Sequence, residues 1–384
     1  MSHEARIFIG QDQQMIRSDP LQRVVIFVSM AGNTLGSHLR LTTFGESHGN
    51  SIGGIIDGLP AGVEIDSEAV AFELSRRKPG QSKLTTARSE SDQVEWLSGL
   101  WQGKTTGSPL AFRIANKDAR SQDYDKMQDV YRPGHADRTY QEKYGIRDPR
   151  GGGRSSARET ANWVVAGAIA RHLLPSTLKC IAYVDQVGTI HAPALSTTPD
   201  AAKVEAHSVR CPDEATAQKM QELIERTKKK GDSVGGAIRC VVTAAPAGLG
   251  EPVFGKLPAR LGAALFSLNA VKGVEFGSGF QAASMFGSTH NDTYDAKGEP
   301  ISNHAGGSLG GLSTGAPIEF RVAFKPTSTI GKSQQTIDRS GQLVQLEAKG
   351  RHDPCVVPRA VPIVEALTLF TLADLYLISK TDRL

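Results

Sequence analysis

YRPGHADRTYQEKYGIRDPRGGGRSSARET (Tyr131–Thr160), with the apolar run NWVVAGAIARHLL (Asn162–Leu174) just after it, sets a charged loop directly against a helix. From Tyr131 to Arg158 it carries six Arg and one Lys against three acids, grouped around His135 and the triplet Gly151-Gly152-Gly153. Ser156 with Glu159 three residues later has the spacing of a capping box, and the apolar residues then recur at helical spacing until Pro175. Ser155 and Ser156 are therefore predicted at a helix N-terminus, where unpaired N–H groups, the helix dipole, Arg154 and Arg158 together favour a phosphate or a carboxylate. An ordinary capped helix behind a flexible loop would use the same residues.

Outward from that stretch, elements of both kinds alternate. Leu41–Phe44 reads as a strand that delivers GESHGN (Gly45–Asn50) into a turn before the apolar Ile52–Ile56, so His48 stands between turn residues as a candidate proton donor. Asp66 or Ser67 caps a helix that ends near Arg77 in a second basic cluster, Arg76-Arg77-Lys78 with Lys83 and Arg88. The polar loop TTARSESDQ leads to a strand–turn–strand over Val94–Phe112. Beyond the central helix come a strand over 180–192, a surface helix Asp213–Lys230 closed by Gly231, a strand Ala237–Ala244 and a buried helix from Pro258 to Val271. A Gly-rich segment Gly273–Phe280, a polar loop around His290–His304 and the cluster Gly306–Gly311 follow. Ile318–Phe324 alternates like a strand and runs into Lys325-Pro326-Thr327-Ser328-Thr329, and after Arg351-His352-Asp353-Pro354-Cys355 an apolar helix spans Pro362–Ile378.

A length of 384 residues, 39% hydrophobic and 22% charged, is a globular composition with a real core. The net charge of +4 is mild, so the basic residues matter through their clusters. The 40 glycines fall largely in short groups beside periodic segments, which suggests backbone brought close to a ligand. Cys180, Cys211, Cys240 and Cys355 have neither disulfide-framework nor zinc spacing and read as thiols of a reducing, cytoplasmic compartment. No apolar run approaches the roughly 18 to 20 residues of a membrane span, so no membrane partner is expected. Residues 1–29 read as an upstream extension, and 30–384 carry the fold.

Several motifs fail on their chemistry. Gly331-Lys332-Ser333 resembles the end of a Walker loop, but that loop needs a glycine where Pro326 stands. No GxGxxG follows a strand, so a dinucleotide fold has no fingerprint. His135-Ala136-Asp137 lacks a second ligand group at a supporting spacing, and no metal is expected. The run RGGGRSSAR has the charge for nucleic acid without regular aromatic interleaving. What remains is two basic clusters, two histidines in Gly-flanked turns, an Arg–His–Asp triplet and a Lys-Pro-Thr-Ser-Thr loop, which together suit a multiply anionic ligand, or two, with proton transfer near neutral pH.

GESHGN (45–50), YRPGHAD (131–137), GGGRSSARET (151–160) and RHDPCVVPR (351–359) resemble, in order, the signature segments of the chorismate synthase family. The resemblance covers essentially Met30 to Leu384, and Met30-Ala31-Gly32-Asn33-Thr34 is similar to the family's usual start. It implies an α/β fold of α+β type, one domain with helices sandwiched between antiparallel sheets, assembled as a homotetramer. It also implies 1,4-anti elimination of phosphate from 5-enolpyruvylshikimate 3-phosphate to give chorismate, with reduced FMN required and no net redox change. On that resemblance Ser47, Arg77, Lys83, Arg132, Ser156, Arg158 and Arg351 hold the substrate's two carboxylates and its phosphate. His48 protonates the departing phosphate, His135 stands by the flavin, and Asp353 helps flavin N5 take the ring proton. FMN is implied at Arg154, Ser155, Ser156, Asn269, Ala270, Gly310, Lys325, Pro326, Thr327, Ser328, Thr329 and Arg351. Lys83 stands where many relatives carry Arg, which keeps the charge without the fork. Some relatives reduce their own flavin with NADPH; with no added reductase segment here, a monofunctional enzyme supplied with reduced flavin from outside is expected. The competing readings are a non-catalytic nucleic-acid-binding protein and another FMN enzyme acting on a phosphorylated acid.

Overall fold

Two antiparallel sheets enclose a layer of apolar helices, and the alternation of buried and exposed side chains along each strand shows which face looks inward. The computed structural model describes residues 32–78, 92–116, 128–195, 197–347 and 353–382. The expected extension 1–29, Lys83, Arg88, Arg351 and His352 lie outside them.

The first half supplies β1 (Thr34–Leu35), β2 (Arg40–Phe44), β3 (Ser51–Asp57), α1 (Ser67–Arg77), β4 (Val94–Ser98), a small hairpin β5 (Leu100–Trp101) and β6 (Lys104–Thr105), and β7 (Leu110–Ala115). Its sheet has the order β1-β2-β3-β7-β4, all antiparallel. Leu41, Ile52, Ile56, Leu110, Phe112 and Ile114 point inward, as a period of two requires. After α2 (Asp137–Tyr144) and α3 (Thr160–Arg171) come β8 (Lys179–Val187), β9 (Ile190–His191), α4 (Ala201–Glu205), α5 (Glu214–Lys229), β10 (Gly236–Thr243), α6 (Leu257–Phe266), β11 (Val271–Phe276), the short α7 (Gly287–His290), the hairpin β12 (Ser308–Leu309) and β13 (Leu312–Ser313), β14 (Ile318–Phe324), the hairpin β15 (Gln334–Ile337) and β16 (Leu343–Leu346), and α8 (Val357–Ser379). The second sheet runs β11-β14-β10-β8-β9, again antiparallel. Asp185, Arg321 and Glu275 form an ion-pair ladder across it, with Arg321 Nε 2.6 Å from Asp185 and Nη1 2.7 Å from Glu275.

Between the sheets α3 packs on α8 so closely that a Cβ on Gly167 would lie 2.4 Å from Ala366 Cα. Helix α8 is long and apolar enough to cross a membrane, contrary to the expectation that no such run exists, yet 83% of its apolar window is buried inside the fold. It begins at Val357, five residues before the expected start, and passes through Pro362. Pro362 has no N–H for the carbonyl of Pro358 four residues back, and that carbonyl accepts Arg210 Nη1 instead at 2.6 Å. Asp374, buried near the other end of α8, accepts the backbone N–H groups of Ser37, His38 and Leu39 at 2.8 Å each and so anchors the start of the first sheet.

Two further expectations are corrected. The capping box does not form: Ser156 Oγ accepts Arg158 N–H over a 3-10 turn, Ala157–Glu159, and α3 starts only at Thr160. Glu159 turns to Arg154 at 2.6 Å and Asn162 at 3.1 Å, because a guanidinium is a stronger partner than a neutral N–H. The helix expected to reach Val271 stops at Phe266, since Ala270 adopts φ +68 and Val271 joins the sheet.

Candidate active site

One cavity of about 420 Å³ opens where the central loop, the GESHGN turn, the end of α1 and the start of α8 meet. The GESHGN turn brings His48 to the wall, with Ser47 Oγ 3.0 Å from His48 Nδ1. Gly151, at φ +73, lies flat against that ring: a Cβ there would come within 2.5 Å of it. The Gly151 carbonyl in turn accepts Arg132 Nη2 at 2.8 Å.

Arg132 is gripped by Asp137, which accepts Nε at 2.7 Å, Nη2 at 2.8 Å and the Arg132 backbone N–H at 3.1 Å. Asp137 also takes His135 Nδ1 at 3.0 Å and Arg147 Nη1 at 3.3 Å. Burial pushes its carboxyl up, but the hydrogen bonds from Arg132 and His135 outweigh that and hold it well below the usual carboxylate range. An ionised carboxylate only accepts, so His135 carries its proton on Nδ1 and keeps Nε2 for the cavity. The second carboxylate, Asp92, is 1% exposed at its side chain and joins Arg77, at 3.0 Å, to Arg158. Burial raises its pKa and the two arginines lower it further, with a net downward shift. Across the cavity Asp353 pairs with Arg359, whose Nε reaches Arg77 O at 3.2 Å. Lys325 Nζ and Ser328 Oγ converge on Gly134 O at 2.9 and 2.6 Å, and burial lowers the lysine's pKa.

Five cations, Arg77, Arg132, Arg158, Lys325 and Arg359, thus face the cavity against three carboxylates, Asp92, Asp137 and Asp353. Leu268, Phe324, Val356, Ala360 and Ile363 give it an apolar side. Asn269 donates Nδ2 to Ser155 O at 2.8 Å, while its Oδ1 is buried at the wall with no hydrogen-bond partner among the described residues.

The family model described as Chorismate synthase matches residues 39–377. The chain belongs to the chorismate synthase family. It is 56% identical to the chorismate synthase of Porphyromonas gingivalis over 91% of this chain and 97% of that one, and 53% identical to the Christiangramia forsetii enzyme over 92% and 100%. A crystal structure of a chorismate synthase superimposes with a TM-score of 0.71 at 31% identity, covering 90% of this chain and 93% of that one. The sandwich of helices between antiparallel sheets is therefore the chorismate synthase fold, and the activity is that of the family: a lyase that eliminates phosphate from 5-enolpyruvylshikimate 3-phosphate to form chorismate.

Of the side chains read from the sequence as this synthase's site, His48, Arg77, Arg132, His135, Ser155, Ser156, Arg158, Asn269, Ala270, Lys325 to Thr329 and Asp353 line the one cavity. Ser47 stands just behind His48. Arg154 does not line it; its guanidinium binds Thr43 Oγ1 at 2.7 Å, Gly45 O at 3.1 Å and Glu159, and secures the end of β2. Gly310 sits in the β12–β13 turn and is not among the lining residues. Lys83 and Arg351 lie outside the described residues. Sequence reasoning missed Asp92, Asn116, Arg147 and Arg359. Arg359 closes the RHDPCVVPR motif and could have been singled out there, whereas an acid in a polar connector gave Asp92 no signal.

Proposed function

We propose that this cavity binds 5-enolpyruvylshikimate 3-phosphate beside reduced FMN and carries out the elimination there. The observation that carries the reading is the convergence of five cations and two histidines, drawn from five separate segments, on one partly apolar cavity. Arg77, Arg132 and Arg158 are already oriented by buried carboxylates, so they offer charge to an anionic substrate at little ordering cost. His48, on its glycine-backed turn, donates a proton to the leaving phosphate, which lowers the charge that must develop. Ser47 and Ser156 add short donors, and Lys83 and Arg351 complete the substrate set.

The residues fit a flavin. The buried, unpartnered Asn269 Oδ1 is an acceptor suited to a ring N–H, the apolar side suits a planar ring system, and the hydroxyls of Thr327, Ser328 and Thr329 with Lys325 suit a phosphate or polar edge. Held by these residues, reduced FMN would supply the electron-donating chemistry. His135, with its proton fixed on Nδ1, presents Nε2 to that side, and Asp353, paired with Arg359, is the carboxylate placed to help accept the ring proton. Ser155, Ala270, Arg154 and Gly310 remain in the proposed FMN set.

The reduced flavin is supplied from outside, with no NADPH-dependent step in this chain. The chain self-associates, as a homotetramer in this reading; the exposure of Phe254, Phe280 and Phe286, at 91%, 85% and 80% in the single chain, supports an interface without fixing the number of subunits. A reducing, cytoplasmic setting accords with four buried free thiols, two of which, Cys180 and Cys240, share a hydrogen bond at 3.7 Å.

The test is anaerobic chorismate formation with chemically reduced FMN, run beside oxidised FMN and beside oxidised FMN with NADPH. Product with pre-reduced flavin alone is the expected result. Turnover with NADPH and no other reductant would end the monofunctional reading, and folded protein inactive under every condition would end the assignment of the site.

A further inference from the structure

The loop that carries His48 is held to its surroundings largely through its own backbone N–H and carbonyl groups. Its Ser47 N–H reaches Gly153 O only at 3.4 Å, and Gly49 N–H closes a local turn on Glu46 O at 3.1 Å. Arg154 Nη1 reaches the start of this loop at Gly45 O, at 3.1 Å, and Asn116, the residue after β7, crosses to its centre. Asn116 Nδ2 donates to Glu46 O at 3.0 Å and to Gly49 O at 2.9 Å, the two carbonyls that flank Ser47 and His48. Its backbone N–H donates to Asn50 O at 3.0 Å. Its Oδ1 accepts Arg158 Nε at 3.0 Å. The orientation of this amide is determined by its partners, because the flipped form would set a donor against a guanidinium N–H and an oxygen against two carbonyls. Arg158 is held at a second nitrogen, Nη1, by Asp92, which also holds Arg77.

We infer that Asn116 and Asp92 are positioning residues for the elimination: both fix the Arg158 guanidinium, and Asn116 in addition ties it to the loop that places His48. The inference rests on the reading of this cavity as the substrate site. Asp92 keeps two buried guanidiniums, which would otherwise repel, at one separation. Asn116 makes the distance between an anion-binding arginine and the proton donor a property of one rigid amide. A misplacement of about 1 Å at such a site costs on the order of a hundredfold in rate.

The two functions of Asn116 separate by substitution. Asn116→Asp keeps an acceptor for Arg158 and loses both donors to the loop, so kcat should fall about 10- to 100-fold while KM for the substrate stays within about threefold. Asp92→Asn keeps one acceptor but turns a donor toward an arginine, so KM should rise about 10- to 100-fold with kcat much less affected. Asn116→Ala should show both losses. FMN affinity and thermal midpoint, measured on the same proteins, should stay near the parent values for Asn116→Asp. A fall in kcat that tracks a matching loss of FMN affinity and of stability would overturn the inference, as would unchanged kinetics in both Asn116→Asp and Asp92→Asn. If Asp92→Asn does not fold, the half-buried Asn116 pair of variants decides the question. His48→Ala and Arg158→Ala run alongside separate the two levels: if neither lowers turnover, the site reading itself fails, whereas their loss of activity with normal Asn116→Asp kinetics overturns the positioning role alone.

Discussion

Arg76 and Arg77 are neighbours on the last turn of α1, and they end in opposite electrostatic worlds. Arg76 meets three carboxylates, Glu73 and Glu365 at 2.6 Å and Glu205 at 2.7 Å, in a cluster that binds α1 to α4 and α8. Arg77, 2% exposed, shares the single carboxylate of Asp92 with Arg158 and faces the cavity. Where anions outnumber cations the guanidinium is a structural bolt. Where cations outnumber anions the missing negative charge is left to a ligand. The ratio of carboxylates to cations around each group, and not the presence of a basic cluster, separates the two roles.

The largest expected effect comes from exchanging the two positions' losses. Arg77→Ala should lower kcat/KM by about a thousandfold, on the order of 4 kcal/mol of lost transition-state binding, with a small shift in thermal midpoint. Arg76→Ala should do the reverse, destabilising the fold by about 3 kcal/mol, because a buried Glu365 is left without its cation, while kcat/KM of the folded enzyme stays within about threefold. Steady-state kinetics and denaturant melts on both variants check this, and similar losses on both measures would erase the distinction. Next in size is Gly151→Ala. A methyl within 2.5 Å of the His48 ring, on a backbone at φ +73, must push the histidine out of place, and kcat should fall about a hundredfold with substrate binding largely kept. Retained activity would show that His48 does not need this wall.

A further effect sharpens the comparison through pH. Asp137 and Asp92 both have carboxyl pKa values depressed by their arginines, after burial has pulled the other way. A depressed acid stabilises the fold fully above its unfolded pKa of about 3.9, and that contribution drains away as pH falls toward the folded value. Asp137→Asn should therefore cost about 3 kcal/mol at pH 7 and progressively less below about pH 4. Denaturant midpoints across pH 3 to 7 measure it; a difference that does not change with pH would mean the ion pairs around Asp137 contribute little to stability.

Much of this was legible in the chain. Period-two runs such as Leu41–Phe44 and Ile318–Phe324 became strands, Asp66 caps α1 with Oδ1 on Glu68 and Ala69 N–H, and Asp213 caps α5. The four ordered motifs named the family, and His48, Arg132, His135, Arg158 and Arg359 from them line one cavity. The misreadings share a cause. The capping box failed because Arg154, close in sequence but aimed by β2, captured Glu159. The helix expected to start at Pro362 starts at Val357 instead, and Arg210, on a distant loop, supplies Pro358 O with the donor that Pro362 lacks.

Residue type and spacing, by themselves, determined which segments are apolar and periodic, where charge accumulates and which family the chain resembles, because those properties belong to local stretches of chain. Only the tertiary structure decided which arginine of an adjacent pair faces ligand, which nitrogen of His135 holds the proton, and that Asn116 links the His48 loop to Arg158. Each of these depends on a partner far away in sequence, and hydrogen bonds and ion pairs act over a few ångströms of space, whatever the number of residues between their ends.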